Sequence, residues 1–354
     1  MTHMSDFLIY GATGFTGSLV AREAVRRGLR PVLAGRNIEA LQALGAKLGL
    51  DHRGFSLQSA EDVIDGMRGI DTVLNCAGPF SQTAKPFVDA CLKAGTHYLD
   101  ITGEAAVFEA LAARDAEARS AGIVLLPGVG FDVVPSDCLA VHLKRRLPTA
   151  SRLVLGFRSA GRLSRGTMLT ALERMDDGGL VRANGILTKV PTAWKTRVID
   201  FGDGPERAIT IPWGDVATAF HSTGIPNIEV YLAASWGFRV GARLSRWFGW
   251  LVRSRWMQTR LRRRVQAGPP GPTEAERRGN RCFFWGEVMD KAGRTVVTRM
   301  QTPDGYDLTV SSSLASVERI RSGEVSNGFR TPAMAFGPDF ALELPGVTRL
   351  DENP

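Results

Sequence analysis

Cysteine is scarce in this 354-residue chain: Cys76, Cys91, Cys138 and Cys282 are the whole complement, and no two of them form a C-x-x-C pair. The five histidines, at positions 3, 52, 97, 142 and 221, are equally dispersed. Neither set has metal-ligand spacing, so no metal site is expected and the thiols are expected to be reduced. Long apolar runs are also missing, and none approaches the roughly 20 residues that a membrane span needs. The start, MTHMSDFLIYG, lacks the basic flank and extended apolar core of a secretory signal. A cytoplasmic protein, or one peripheral to a membrane, is the expectation. Acidic residues are absent from one whole stretch: between Arg239 and Arg264 there are nine arginines and no Asp or Glu, and without that stretch the formal charge of +8 falls to about −1. Basicity confined to one segment argues against a nucleic-acid partner, because the remainder carries no basic excess and no known binding module.

What is present begins at Asp6–Gly17, DFLIYGATGFTG. Phe7, Leu8, Ile9 and Tyr10 form a short continuous apolar run, the pattern of a buried parallel strand, and the run breaks into Gly11, Gly14 and Gly17 before a helix over 19–28. Glycines at a strand-to-helix turn let backbone N–H groups approach a pyrophosphate, so Gly11, Thr13, Gly14, Phe15, Thr16 and Gly17 are candidate cofactor contacts. The G-x-x-G-x-x-G spacing is one residue looser than the dinucleotide fingerprint. A second strand, PVLA at 31–34, ends at Gly35, Arg36 and Asn37. An NAD-selective fold usually places Asp or Glu here for the ribose 2′-hydroxyl. Arg36, with Asn37 beside it, suits a 2′-phosphate instead, which makes NADP(H) the expected cofactor.

Further strand patterns at 54–57, 71–76, 97–100 and 123–126 alternate with helical ones, the order of a doubly wound parallel sheet. Ligands of such sheets sit beyond the strand C-termini. Cys76, Ala77, Gly78, Pro79 and Phe80 fall there and are expected to border the ribose and nicotinamide. Asp100, Glu104, Asp132 and Asp137 lie on later loops at that edge; capping a helix is the alternative for Glu104 and the preferred reading for Asp137. From Leu153 the texture changes to antiparallel-type strands at 153–158, 195–201, 208–213, 227–233, 281–290 and 295–301, with turns at 202–205 and 291–293 and helical spacing at 166–175 and 307–321. The arginine-rich stretch alternates its arginines with Trp247, Phe248, Trp250, Leu251, Trp256, Met257 and Leu261, an amphipathic basic arm. It either packs on its own domain or docks an acidic carrier protein or an anionic membrane surface.

These motifs together resemble the saccharopine dehydrogenase-like family of NADP-dependent oxidoreductases. The carriers are GATGFTG, AGR, NCAGPF, HYLDITGE and PGVGFDVVPSD, all within the first 137 residues; SRGT at 164–167, GPPGPTEAERRG at 268–279 and GFRTPAMAFG at 328–337 look like the trans-acting enoyl reductase branch. The resemblance implies a Rossmann domain over 1–137, an α+β substrate or dimerisation domain over 138–326 with a mostly antiparallel sheet and the arm at 239–266, and a C-terminal return to the Rossmann domain over 327–354. Gly337-Pro338 should shorten or kink the returning helix. It also implies an NADPH-dependent oxidoreductase acting on a small-molecule or carrier-bound acyl substrate, reducing an enoyl C=C bond. Tyr98, Asp132, Ser164 and Thr167 are the candidate catalytic side chains, and a homodimer is an expectation. A saccharopine-type imine substrate would need cationic clamps such as Arg158, Arg162, Arg165 and Arg197. A non-catalytic NADP-responsive binding protein is the other alternative. Short-chain dehydrogenase chemistry is excluded, since none of the four tyrosines is followed four residues on by lysine.

Overall fold

A computed structural model describes residues 7–159, 161–173, 178–234, 237 and 255–352. The chain forms two compact units, one of residues 1–134 and 306–337, the other of residues 135–305 and 338–354.

The first unit runs β1 (Leu8–Tyr10), α1 (Phe15–Arg26), β2 (Val32–Gly35), α2 (Ile38–Leu48), β3 (His52–Gly54), α3 (Ala60–Gly66), β4 (Thr72–Asn75), α4 (Phe80–Ala94), β5 (His97–Asp100), α5 (Ala105–Ala112), α6 (Asp115–Ser120) and β6 (Val124–Leu126). After the second unit the chain returns as α12 (Gly305–Arg321), β15 (Gly328–Phe329) and α13 (Pro332–Phe336). All seven strands are parallel, in the order β15-β6-β5-β4-β1-β2-β3. Alternate side chains of β1 enter opposite layers: Leu8 and Tyr10 join Val63, Phe87 and Val107, whereas Phe7 and Ile9 join Val20, Ala21 and Ala24 of α1. Burial on both faces is why this strand reads as a continuous apolar run.

The helical pattern at 307–321 belongs to this unit, not to a second domain ending at 326. Val310, Leu314, Val317 and Ile320 of α12 complete the layer that contains α1, and no other surface of that helix offers an equivalent apolar stripe. The expected C-terminal return over 327–354 is also divided. Phe329 pairs with Leu125 as the seventh strand, and α13, capped by Thr331 with Pro332 at its first turn, stops at Gly337 as the Gly-Pro pair predicts. Residues from 338 belong to the second unit, because β16 (Thr348–Asp351) pairs with β14 (Thr295–Pro303).

The second unit comprises α7 (Val134–Arg146), β7 (Ala150–Ser159), α8 (Arg165–Glu173), β8 (Gly179–Ala183), β9 (Ile186–Val190), β10 (Thr196–Asp200), β11 (Pro205–Thr210), α9 (Asp215–Thr223), β12 (Asn227–Ala233), α10 (Arg255–Ala267), α11 (Glu274–Gly279), β13 (Arg281–Asp290), β14 and β16. Its sheet runs β10-β11-β12-β7-β13-β14-β16, with β8 and β9 attached at β12. Only the β12/β7 pair is parallel among these described strands. The β10–β11 hairpin folds over one face, where Ile199 and Phe201 pack on Val154 and Trp285 and Arg299 donates to the Asp200 carbonyl at 2.8 Å.

Some sequence readings differ. The strand expected over 54–57 is β3, at 52–54, and the helix expected over 19–28 is α1, which begins at Phe15. The strand expected to reach Trp213 ends at Thr210, and α9 follows it. The β8–β9 hairpin went unread although Asn184 (φ 50°) and Gly185 (φ 80°) form the Asn-Gly turn that such hairpins favour. Residues 239–254 of the basic arm lie outside the described residues. Among those described, no helix is long and apolar enough to cross a membrane.

Candidate functional site

The site is built at the carboxyl edge of the parallel sheet. Tyr10 ends β1, and the chain turns back at once: the Gly11 and Ala12 amides donate to the Ala34 carbonyl at 2.8 and 3.2 Å, and the Gly14 amide donates to the Gly11 carbonyl at 2.9 Å. Gly11 has φ +79°, where a side chain would be strained and its Cβ would stand 2.9 Å from the Ala77 nitrogen. At Gly17 a Cβ would fall 2.3 Å from the Gly11 carbonyl oxygen, so α1 meets the turn backbone to backbone. Gly14 is the N-cap of α1 and provides no side-chain cap. The first N–H groups of a helix have no intrahelical partner. Here no side-chain cap meets them, and exposed Thr13 and half-buried Phe15 and Thr16 lie beside them, an arrangement that suits an anion.

Beyond β2, exposed Arg36 lines an open depression of about 570 Å³ with Asn37, Ile38 and Glu39. Asn37 has a second task, for its Oδ1 accepts from the Ala40 amide at 2.9 Å and caps α2. Arg36 is an exposed cation whose type and place suit a 2′-phosphate.

The Cys76–Phe80 segment is held from several sides. The Cys76 amide donates to the Tyr10 carbonyl at 2.8 Å, the Ala77 amide donates to Asn75 Oδ1 at 3.0 Å, and the Thr83 hydroxyl donates to the Ala77 carbonyl at 2.7 Å. The Gly78–Pro79 bond is cis. The N-terminus of α4 is closed by the Glu104 carboxylate, which accepts from the Phe80 and Ser81 amides at 2.9 and 3.1 Å. Glu104 is therefore a helix cap, but for α4, not for α5, which it precedes.

Tyr98 is corrected by its placement. It is fully buried, donating its hydroxyl to Asp100 Oδ2 at 2.8 Å and accepting from Asn75 Nδ2 at 3.2 Å. Burial, and then the Asp100 carboxylate, push its phenol well above the usual tyrosine range. It supports the edge from within the core and does not reach a substrate. Asp100 is equally buried and accepts from the Thr102 amide at 2.9 Å and the Gly128 amide at 3.0 Å, which ties the loop after β5 to the loop after β6. Desolvation raises its carboxyl to about 6, against the lowering effect of those bonds. Asp132, half-buried on the loop after β6, lies against Gly103, where a Cβ would stand 2.8 Å from Oδ2.

The remaining candidates belong to the second unit. Ser164 Oγ accepts from the Thr167 amide at 3.3 Å and lies 3.0 Å from Thr167 Oγ1, a cap on α8. Asp137 accepts from the Ser222 hydroxyl at 2.6 Å, and Ser136 donates to Asp215 at 2.6 Å, so the PSD triplet fastens α7 to α9. The four arginines considered as carboxylate clamps are engaged within their own unit: Arg158 with Asp203 and Glu206, Arg162 with Glu276, Arg165 with the Gly268 carbonyl and Arg197 with Glu287.

One residue was passed over in the sequence. Tyr306, half-buried at the start of α12, sets its ring edge-on to Phe15 with centroids 5.0 Å apart, directly beside the glycine turn. Only the return of α12 to this layer brings it there, and local pattern carries no sign of that return.

An uncapped α1, a cradle that a Cβ would fill at Gly17 and an arginine beyond β2 fit a phosphorylated dinucleotide. Residues 7–126 match the family model of the saccharopine dehydrogenase NADP binding domain. Over this segment, about a third of the chain, the protein is similar to that domain. The chain also resembles proteins named trans-acting enoyl reductase: one from Mycobacterium leprae is 34% identical over 150 residues, 40% of this chain and 36% of the relative. One from Mycobacterium tuberculosis is 34% identical over 149 residues, with the same coverage of 40% and 36%. The match thus spans about a third of these relatives' length. Among solved structures, an apo saccharopine dehydrogenase (L-Glu forming) from Saccharomyces cerevisiae superposes with a TM-score of 0.67 at 11% identity, covering 99% of this chain and 100% of that one, which shows a shared fold. The cofactor of the saccharopine dehydrogenase NADP-binding domain is NADP(H), in keeping with Arg36 where an NAD-selective fold carries an acid.

Proposed function

We propose that the protein is an NADPH-dependent reductase that saturates the C=C bond of an enoyl substrate, lipid-like or carrier-bound. The observation that carries the cofactor half of this reading is the uncapped N-terminus of α1 beside Arg36. The substrate half rests on the names of the relatives. NADPH when bound supplies the hydride; the protein supplies position, and it must also place a proton and stabilise enolate charge. In this reading Gly11–Gly17 hold the pyrophosphate, Arg36 the 2′-phosphate, and the braced Cys76–Phe80 segment fixes one wall. Tyr98 is too buried to deliver the proton, and Tyr306 beside Phe15 and Asp132 on the loop after β6 are the side chains to test for that role. The internal pairing of Arg158, Arg162, Arg165 and Arg197 argues against a multi-carboxylate imine substrate.

The test titrates the purified chain and Arg36→Ala with NADPH and NADH, then follows NADPH oxidation against enoyl thioesters, free and carrier-bound. One charge-assisted phosphate contact, at about 1.5–3 kcal/mol, predicts roughly tenfold to hundredfold weaker NADPH binding in the variant and unchanged NADH binding. Tight NADPH binding with no turnover on any enoyl thioester would overturn the reductase reading in favour of a cofactor-responsive binding protein.

A further inference from the structure

Helix α10 (Arg255–Ala267) has two unlike faces. Met257, Leu261 and Val265 recur every four residues and are half-buried, in line with packing against α8. The helix is fastened at its end where Arg165 donates through its side chain to the Gly268 carbonyl at 2.7 Å and through its amide to the Pro270 carbonyl at 3.0 Å. Away from that stripe, Trp256, Arg260 and Arg263 align at i, i+4 and i+7, all exposed, with Trp256 at 65%. The Arg260 guanidinium lies 5.5 Å from the Trp256 ring centroid. Arg264 is exposed on the same helix, and no acidic residue occurs anywhere from 239 to 267.

We propose that this face of α10 binds an anionic lipid surface. Charge complementarity requires an anionic partner, since the chain's excess positive charge is concentrated in and just before this helix. A large indole left in water among the arginines is the additional feature that a lipid headgroup region satisfies, accepting the amphipathic ring while the arginines meet phosphates.

The experiment is co-sedimentation of the full chain with vesicles of phosphatidylcholine alone and of phosphatidylcholine mixed with phosphatidylglycerol, at low and high salt. The expected result is binding to the phosphatidylglycerol vesicles only, lost at high salt. Arg260→Glu with Arg263→Glu should weaken it by about thirtyfold or more, at roughly one kcal/mol per basic residue near the surface. Arg260→Lys with Arg263→Lys should retain it, and Trp256→Ala should weaken it at constant charge. Unchanged NADPH binding shows that each variant is folded. Failure of the full chain to bind, equal binding to neutral vesicles, or wild-type binding by the double glutamate variant would overturn the proposal. Binding to an acidic carrier protein without binding to vesicles would overturn it in favour of a protein partner.

Discussion

The carboxyl edge of the parallel sheet has two halves that treat their helix N-termini in opposite ways. After β4 and β5 the edge is closed: Glu104 caps α4, Asp100 clasps two loops, and Asn75 and Tyr98 fill the space beneath. After β1 the edge is open, for α1 starts at a glycine with no side-chain cap. Both halves face the same electrostatic problem, orphan N–H groups and the positive end of a helix dipole. The closed half answers it with the protein's own carboxylate; in the open half, on the function proposed above, a cofactor phosphate answers it. The difference explains why acidic side chains crowd one half of the edge while an arginine marks the other.

Closing the open half should have the largest effect. In Gly14→Asp the new carboxylate would sit at the N-cap of α1 and occupy the place of a phosphate. Gly14 has φ −70°, which any residue adopts, but a Cβ there stands 3.1 Å from the Gly11 carbonyl oxygen, so the turn must give by a few tenths of an ångström. The expected outcome is NADPH binding weakened by about a hundredfold or more through loss of the phosphate contacts and added repulsion. Thermal stability should change by less than about 1 kcal/mol, the few tenths that Asp gains over Gly at an N-cap being set against that contact. Titration calorimetry and a melting curve on the same sample check both. Retained affinity would show that the pyrophosphate does not use this helix.

Opening the closed half should have a smaller effect of another kind. Glu104→Ala deprives the Phe80 and Ser81 amides of their acceptor and should cost roughly 2 kcal/mol of stability, tempered because Ser81 is exposed enough for water to replace part of the bond. Glu104→Gln keeps one acceptor oxygen and should cost about half as much. Denaturant unfolding with an unchanged slope checks the ranking. If Glu104→Ala matched the wild type in stability, the cap would be ornamental.

The open half was the legible one. Gly11 and Gly17 announce themselves because the local backbone demands glycine there, at a positive φ and at a close backbone approach, and the demand arises within a few positions of sequence. The closed half is less legible: sequence leaves Glu104 between capping and chemistry and puts Tyr98 among the catalytic candidates, because Glu104 acts 23 and 24 residues away and Tyr98 is sorted from the surface only by burial. A tyrosine at the end of a strand looks the same in sequence whether its hydroxyl faces a ligand or Asp100. Long-range return defeats pattern in the same way: Asp307–Arg321 reads as a helix, yet its place beside α1, and hence that of Tyr306 beside Phe15, is decided by tertiary packing.

The closed half also carries a pH signature that the open half lacks. Asp100 is buried with its carboxyl raised to about 6 by desolvation, whereas in the unfolded chain it returns to the ordinary range near 4. The folded chain therefore holds this proton more tightly, so its contribution to stability is complete below the unfolded value and is lost as pH rises through about 6. Acidification from pH 7 to pH 5 should add about 1 kcal/mol from this residue. Asp100→Asn, which cannot titrate, should flatten that part of the stability profile. It should also leave NADPH affinity at the open half near wild type, because Asp100 bonds the loops after β5 and β6 and not the glycine turn. Carboxyl carbon NMR of the wild type should give a midpoint near 6. A midpoint in the ordinary range would mean that the hydrogen bonds from Thr102, Gly128 and Tyr98 outweigh burial, and that the closed half is held by a full charge at every working pH.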